Sequence, residues 1–261
     1  MVALAEAHGV VREYSTTWYE PVISMPARLN EAVSCAYLLM RGIDEIEDHP
    51  ELAGADKAVL LRGVGRTLQL RSARDDLAAV FAGHEAVLPP VTLRLGEWAD
   101  LAPPEIGPRV WETFATMSER MAGWAESGFP VHDEPDLDRY TYAVAGTLTL
   151  LLSDLWAWYD GTQSSRTLAV AYGRALQSVN ILIDRAVDTG RGVDFWPDGW
   201  QEPDMVRYAR QELVLADAYL AGLPDGPART FCAEPLARAH RALQPWAPTP
   251  RESAPDDKGA R

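Results

Sequence analysis

The sequence predicts an all-α fold, and three observations carry that expectation. Strand signals are missing, because no alternating β-branched run is closed by an Asn-Gly or Asp-Gly turn. Apolar residues instead recur at steps of three and four, most clearly at Val110, Phe114, Met117, Met121 and Trp124. Prolines and glycines divide these stretches at helix-length intervals. With 261 residues, 47% of them hydrophobic, the chain can bury a large core and is too apolar to be disordered.

The elements follow in order. A first long helix is predicted over 26–49, with Pro26 in its first turn and Pro50 as its stop. Helices follow over 56–69 and 75–86. Pro89-Pro90 and Pro103-Pro104 bracket a short helix over 93–101. The stripe from Val110 to Trp124 places a helix over 105–127, ended by the turn Gly128-Phe129-Pro130. The strongly apolar 136–159 reads as one central helix. A connector over 161–165 leads to another long helix over 166–189, and a Gly- and aromatic-rich loop covers 190–200. Helices over 203–223 and 227–243 complete the set. No linker divides the chain, so residues 1–247 read as one domain. The tail 248–261, rich in Pro, Asp, Arg and Ser, reads as disordered.

The net charge of −14 argues against general nucleic-acid binding, which needs clustered Lys and Arg. Cys35 and Cys232 lack Cys or His neighbours at metal-ligand spacing, so neither zinc nor a disulfide framework is expected. The start shows no basic region leading into an apolar stretch. The longest nearly uncharged run, 140–153, is shorter than the roughly 20 residues a bilayer needs. A cytoplasmic protein without a stable membrane anchor is expected.

Two acidic clusters stand out. Asp44 and Asp48 lie four residues apart on one helix face, which Arg41 and Tyr37 share. Alone, Asp-x-x-x-Asp is more often a solvated acidic face. Here the apolar run 35–40 buries the helix just before the cluster. Gln177, Asn180, Asp184 and Asp188 form a polar stripe on a helix otherwise carrying Leu176, Val179, Ile181, Leu182 and Ile183. A polar stripe on so apolar a helix implies a wet cleft, although a buried polar network has the same pattern. Mg²⁺ takes one or two carboxylates together with substrate phosphate oxygens. Two facing stripes would therefore hold a diphosphate through Mg²⁺. An apolar cavity below, walled by residues such as Phe114, Tyr140, Tyr142, Trp156 or Trp158, would receive a hydrocarbon tail.

These motifs resemble the squalene/phytoene synthase family, in particular its squalene synthase branch, over about 15–243. The segments 30–48 and 177–188 resemble its two aspartate-rich helices. Tyr140-Thr-Tyr142-Ala143-Val144-Ala145-Gly146 and Phe195-Trp196-Pro197 resemble two further family phrases. The resemblance implies the isoprenoid synthase fold, a helical bundle around a central cavity, and Mg²⁺-dependent ionisation of an isoprenyl diphosphate. By matching position, Asp44, Asp48, Asp184 and Asp188 would be catalytic metal ligands, joined by Asn180. Arg41 and Asn180 would hold diphosphate. Tyr37, Tyr140, Tyr142, Ala143, Gln177 and Arg185 would line the substrate site.

Departures from the family pattern shape the expected reaction. Thr16 replaces an Arg, Ala143 a Tyr, Ile183 an Arg and Val187 a Glu. They imply a prenyltransferase that passes its prenyl group to a non-isoprenoid acceptor, an aromatic, carbazole-like ring being the best candidate. The alternative is head-to-head condensation of two farnesyl diphosphates to squalene or dehydrosqualene. A terpene cyclase and a non-catalytic prenyl-diphosphate-binding subunit are further readings.

Overall fold

The computed structural model describes residues 4–15, 17–70 and 74–246. Thr16 and the tail 248–261 lie outside the described residues. The described residues form helices α1 (Leu4–Tyr14), α2 (Tyr19–Ile23), α3 (Ala27–Glu47), α4 (Gly54–Gln69), α5 (Arg74–Val80), α6 (Pro90–Leu93) and α7 (Leu95–Ala99). They continue as α8 (Gly107–Ser127), α9 (Glu134–Thr141), a π-helical turn (Tyr142–Gly146), α10 (Thr147–Asp160), α11 (Arg166–Gly190), α12 (Glu202–Gly222) and α13 (Pro227–Ala242). Among them there is no strand, and no helix is long and apolar enough to cross a membrane.

Helix α3 runs through the middle and packs on α1, α6, α7, α8 and α10. Its Gly42 permits the close approach of α6 and α7: a Cβ there would come within 2.8 Å of Leu95 and 3.0 Å of the Val91 carbonyl. Thr92 Oγ1 donates to the Gly42 carbonyl at 2.8 Å, fixing the height of α3 between Arg41 and Asp44. Helix α8 lies along α4 and ends at Gly128, which adopts the left-handed conformation at φ +77°. Helix α11 starts at Ser165, whose hydroxyl caps Leu168 N, and packs on α10, α12 and α13.

Three differences from the predicted elements have local causes. Helices α1 and α2 precede the first predicted helix; α1 buries only Ala7 and Val11, too few apolar positions to show a period. The predicted helix over 93–101 is two short helices, α6 and α7, starting at Pro90. The predicted central helix over 136–159 runs without interruption from Glu134 to Asp160, but the π turn inside it separates α9 from α10. There α11 passes so close that a Cβ on Gly173 would stand 2.6 Å from the Ala145 carbonyl oxygen. Such turns occur frequently at functional sites.

Candidate active site

One cavity of about 400 Å³ gathers both acidic clusters. Its polar mouth is lined by Asp44, Glu47 and Asp48 from α3 and by Asn180, Asp184 and Asp188 from α11, with Arg41, Gln177 and Arg191 beside them. Its apolar depth is lined by Trp18, Val33, Val144, Leu148, Leu152 and Phe231. A larger groove of about 790 Å³ opens between α8 and α10. Of its charged lining residues, Arg109 pairs with Asp154 at 2.8 Å, and Glu105 with Arg28 at 2.6 Å.

The aromatic wall is built around Tyr140. Its ring stacks on Phe195 at a 4.4 Å centroid distance and meets the edges of Trp124 and Phe129. The Tyr140 hydroxyl points to Glu47 Oε1 at 3.5 Å. Phe195 is carried in by the loop after α11, which is pinned where Trp196 Nε1 donates to the Ile181 carbonyl at 3.3 Å.

Crowding of carboxylates in a desolvated mouth disfavours their charge. Burial and then the Asp48 charge push Asp44 up to about 7. Glu47, buried beside Asp44 and Asp48, is held well above the usual carboxylate range. Asp184 is raised by burial and by Asp188, and Asp188 by burial against the opposing pull of Arg191. Burial lowers Arg191, but hydrogen bonds and charge from Asp48 and Asp188 outweigh it and leave its pKa raised.

Nine of the expected site residues meet in this cavity: Tyr37, Arg41, Asp44, Asp48, Tyr140, Gln177, Asn180, Asp184 and Asp188. Three do not line it. Arg185 turns to the outer loop, where Nη2 donates to Asp194 Oδ2 at 2.9 Å and the guanidinium lies 3.8 Å from the Trp196 ring centre. Tyr142 faces α8 and stacks under Arg120. Ala143 is buried behind the wall, its carbonyl accepting from Thr147 Oγ1 at 2.9 Å. Of the other aromatics named from the sequence, Phe114 and Trp156 are core residues and Trp158 lines the outer groove. Sequence reasoning missed Arg191, Phe195, Trp18 and Phe231 in the wall. Arg191 had one available signal, a cation three residues after Asp188.

The donor set suits Mg²⁺. All candidate ligands are oxygens, and a cationic guanidinium already bridges Asp48 and Asp188 at 2.5 Å to each. Among the described residues no three acidic, His or Cys groups form a ready-made metal cage. Mg²⁺ needs none where water and phosphate oxygens complete its shell.

Residues 11–204 match the squalene/phytoene synthase family. The chain belongs to that family. Family members are prenyltransferases. The chain is 27% identical to the squalene synthase of Eremothecium gossypii over 238 residues, covering 83% of this chain and 52% of that protein. It is likewise 27% identical to the 15-cis-phytoene synthase of Synechocystis over 228 residues, 81% of this chain and 61% of that one. The chain thus spans about half the length of the squalene synthase it matches. The solved structure of TcSQS with a ligand superposes with a TM-score of 0.77 at 18% identity, covering 92% of this chain and 77% of that one. A dehydrosqualene synthase in complex with a ligand gives 0.66 at 16% identity, with 91% and 83% covered. The fold is therefore the isoprenoid synthase fold expected from the motifs.

Proposed function

We propose that this chain binds allylic isoprenyl diphosphates in the cavity between α3 and α11 and joins two of them head to head. The observation that carries the reading is the convergence of both aspartate pairs on one polar mouth above an apolar, aromatic-walled depth. Asp44, Asp48, Asp184 and Asp188, with Asn180, would hold Mg²⁺ and through it the diphosphate. Bound Mg²⁺ would supply Lewis-acid neutralisation of the departing diphosphate. The protein's own part is positional. Arg41 and Arg191 bring positive charge to the mouth, where the diphosphate's charge accumulates. Val144, Leu148 and Leu152 keep water from the prenyl chain, and the stacked Tyr140 and Phe195 rings offer π faces to an allylic cation.

Transfer to an aromatic acceptor, the first expectation from the sequence, has less support. Relatives named squalene synthase and phytoene synthase favour the head-to-head reading. Three of the departures that suggested a foreign acceptor, Ala143, Ile183 and Val187, also lie off the cavity wall. Ala143 is buried behind it, so its small side chain adds no room. Ile183 and Val187 are exposed on the outer face of α11. Incubation of the full chain with farnesyl diphosphate and Mg²⁺ tests the proposal. A C30 product, with one inorganic diphosphate and one proton released as the two chains join, is expected by mass spectrometry. Failure to form any C30 product, with farnesylation of a supplied carbazole, would overturn it in favour of the aromatic acceptor.

A further inference from the structure

Arg191 touches both aspartate pairs at once. Its Nη1 donates to Asp48 Oδ1 and its Nη2 to Asp188 Oδ1, each at 2.5 Å, with the Asp48 carbonyl 3.4 Å from Nη1. One guanidinium thereby ties the C-terminal end of α3 to that of α11, across 143 positions of sequence. Its root is fixed by the backbone, and among the described residues its tip is held only by these contacts to Asp48 and Asp188. The Arg191 N–H donates to the Val187 and Asp188 carbonyls as α11 ends, and Gly192 follows at φ +84°. The side chain stands in the wall of the main cavity and also in that of a small cavity of about 100 Å³ lined by His49, Leu52, Lys57, Phe129 and Val193. It is a partition with space on both sides. The other mouth cation, Arg41, is held differently: Nε donates to Glu45 Oε1 at 2.9 Å, on its own helix.

Four carboxylates from two helices, gathered without a cation, would repel one another across the mouth. The Arg191 guanidinium sits between the carboxylates of the two helices and uses one oxygen each of Asp48 and Asp188. Those oxygens are the ones a divalent cation shared between the two helices would need. We propose that Arg191 is a built-in counter-ion that latches α3 to α11 in the ligand-free protein and is displaced from Asp48 and Asp188 when a divalent cation loads. Freed at its tip, the guanidinium then stands beside the arriving diphosphate and can donate to its oxygens, a geometry that suits Arg. The latch opposes metal alone and favours metal that arrives with a diphosphate. It rests on the reading of the aspartate pairs as metal ligands.

The test is Mn²⁺ binding to the full chain, followed by electron paramagnetic resonance of free Mn²⁺, without any prenyl donor. The parent, Arg191→Ala and Arg191→Lys are compared, with circular dichroism to confirm folding. Arg191→Ala is expected to bind Mn²⁺ roughly tenfold tighter than the parent, because a competing cation is gone. Arg191→Lys keeps a cation and is expected to stay near the parent. Inorganic pyrophosphate should strengthen Mn²⁺ binding more in the parent than in Arg191→Ala. Equal or weaker Mn²⁺ binding by folded Arg191→Ala overturns the latch while leaving the site reading intact. Absence of Mn²⁺ binding in every variant, with pyrophosphate present, removes the site reading and the latch together. If Arg191→Ala does not fold, Arg191→Gln is measured with the same criteria.

Discussion

At the scale of single residues the proposed site would trade stability for ligand binding. Asp44 is partly buried one turn from Asp48, and the like charge and lost hydration together push it up to about 7. Asp44→Asn removes the charge at nearly constant volume. In metal-free protein this substitution is expected to raise the melting temperature by about 2–4 °C, the response of a chain this size to ~1 kcal/mol. Prenyl-diphosphate turnover should fall by about a hundredfold or more, the usual cost of losing a group that stabilises developing charge. A melt and a steady-state assay on the same variant check both signs. A solvated acidic face would show neither change.

The residue scale also marks the limit of what the sequence discloses. The spacing of Asp44 and Asp48, and of Gln177, Asn180, Asp184 and Asp188, is enough to place each set on one helix face, and those residues do line the cavity. Arg191 was not legible, because its meaning lies in a bond to Asp48, far along the chain, that no local pattern encodes. Phe231 and Trp18 reach the wall from α13 and from the turn before α2, and their 5.4 Å ring contact is likewise visible only in three dimensions.

At the scale of elements the π turn Tyr142–Gly146 is decisive. A regular α-helix from 136 to 159 would carry one unbroken stripe past Tyr140. The extra residue in the turn shifts the helix phase, and beyond it Val144, Ala145, Leu148, Thr149 and Leu152 line the cavity while Tyr142 and Ala143 do not. The sequence shows a long apolar helix there and hides the slip, which depends on how near α11 passes. Gly173 permits that approach. Gly173→Ala would drive a Cβ into the Ala145 carbonyl, 2.6 Å away, and backbone cannot yield as a flexible side chain can. The expected cost is about 1–3 kcal/mol of overpacking, measurable by denaturant unfolding. Gly123→Ala, with open space at its Cβ position, serves as the control and is expected to be neutral or slightly stabilising.

At the scale of the whole molecule the raised carboxyls set the pH response of the ligand-free protein. Asp44, Asp184 and Asp188 all lie above their ordinary value of 3.8 in the folded chain. These groups therefore bind more protons folded than unfolded as pH rises from about 4, up to about 7 for Asp44, and the stability they contribute is lost as pH rises through that window. Carboxylates that bind a cation must be ionised, so Mg²⁺ should tighten with pH and restore the stability lost. Melting temperatures from pH 5 to 8, with and without Mg²⁺ and pyrophosphate, are expected to diverge as pH rises. Parallel curves would show that the acidic clusters are not coupled to metal.

The all-α class was readable because nearly every helix exposes a regular apolar period and a Pro or Gly stop. The shape of the cavity was not, since it is set by close approaches at Gly42 and Gly173 and by the loop that brings in Phe195. The proposed reaction is ionisation of a prenyl diphosphate held in this cavity by both aspartate pairs. It is tested most directly by measuring inorganic diphosphate released from farnesyl diphosphate by the parent and by Asp184→Asn, with Mg²⁺ and with a chelator. Release is expected to require Mg²⁺ and to drop by about a hundredfold in the variant. Release that persists with the chelator, or is unchanged in Asp184→Asn, would contradict it, as would the absence of release from folded parent protein.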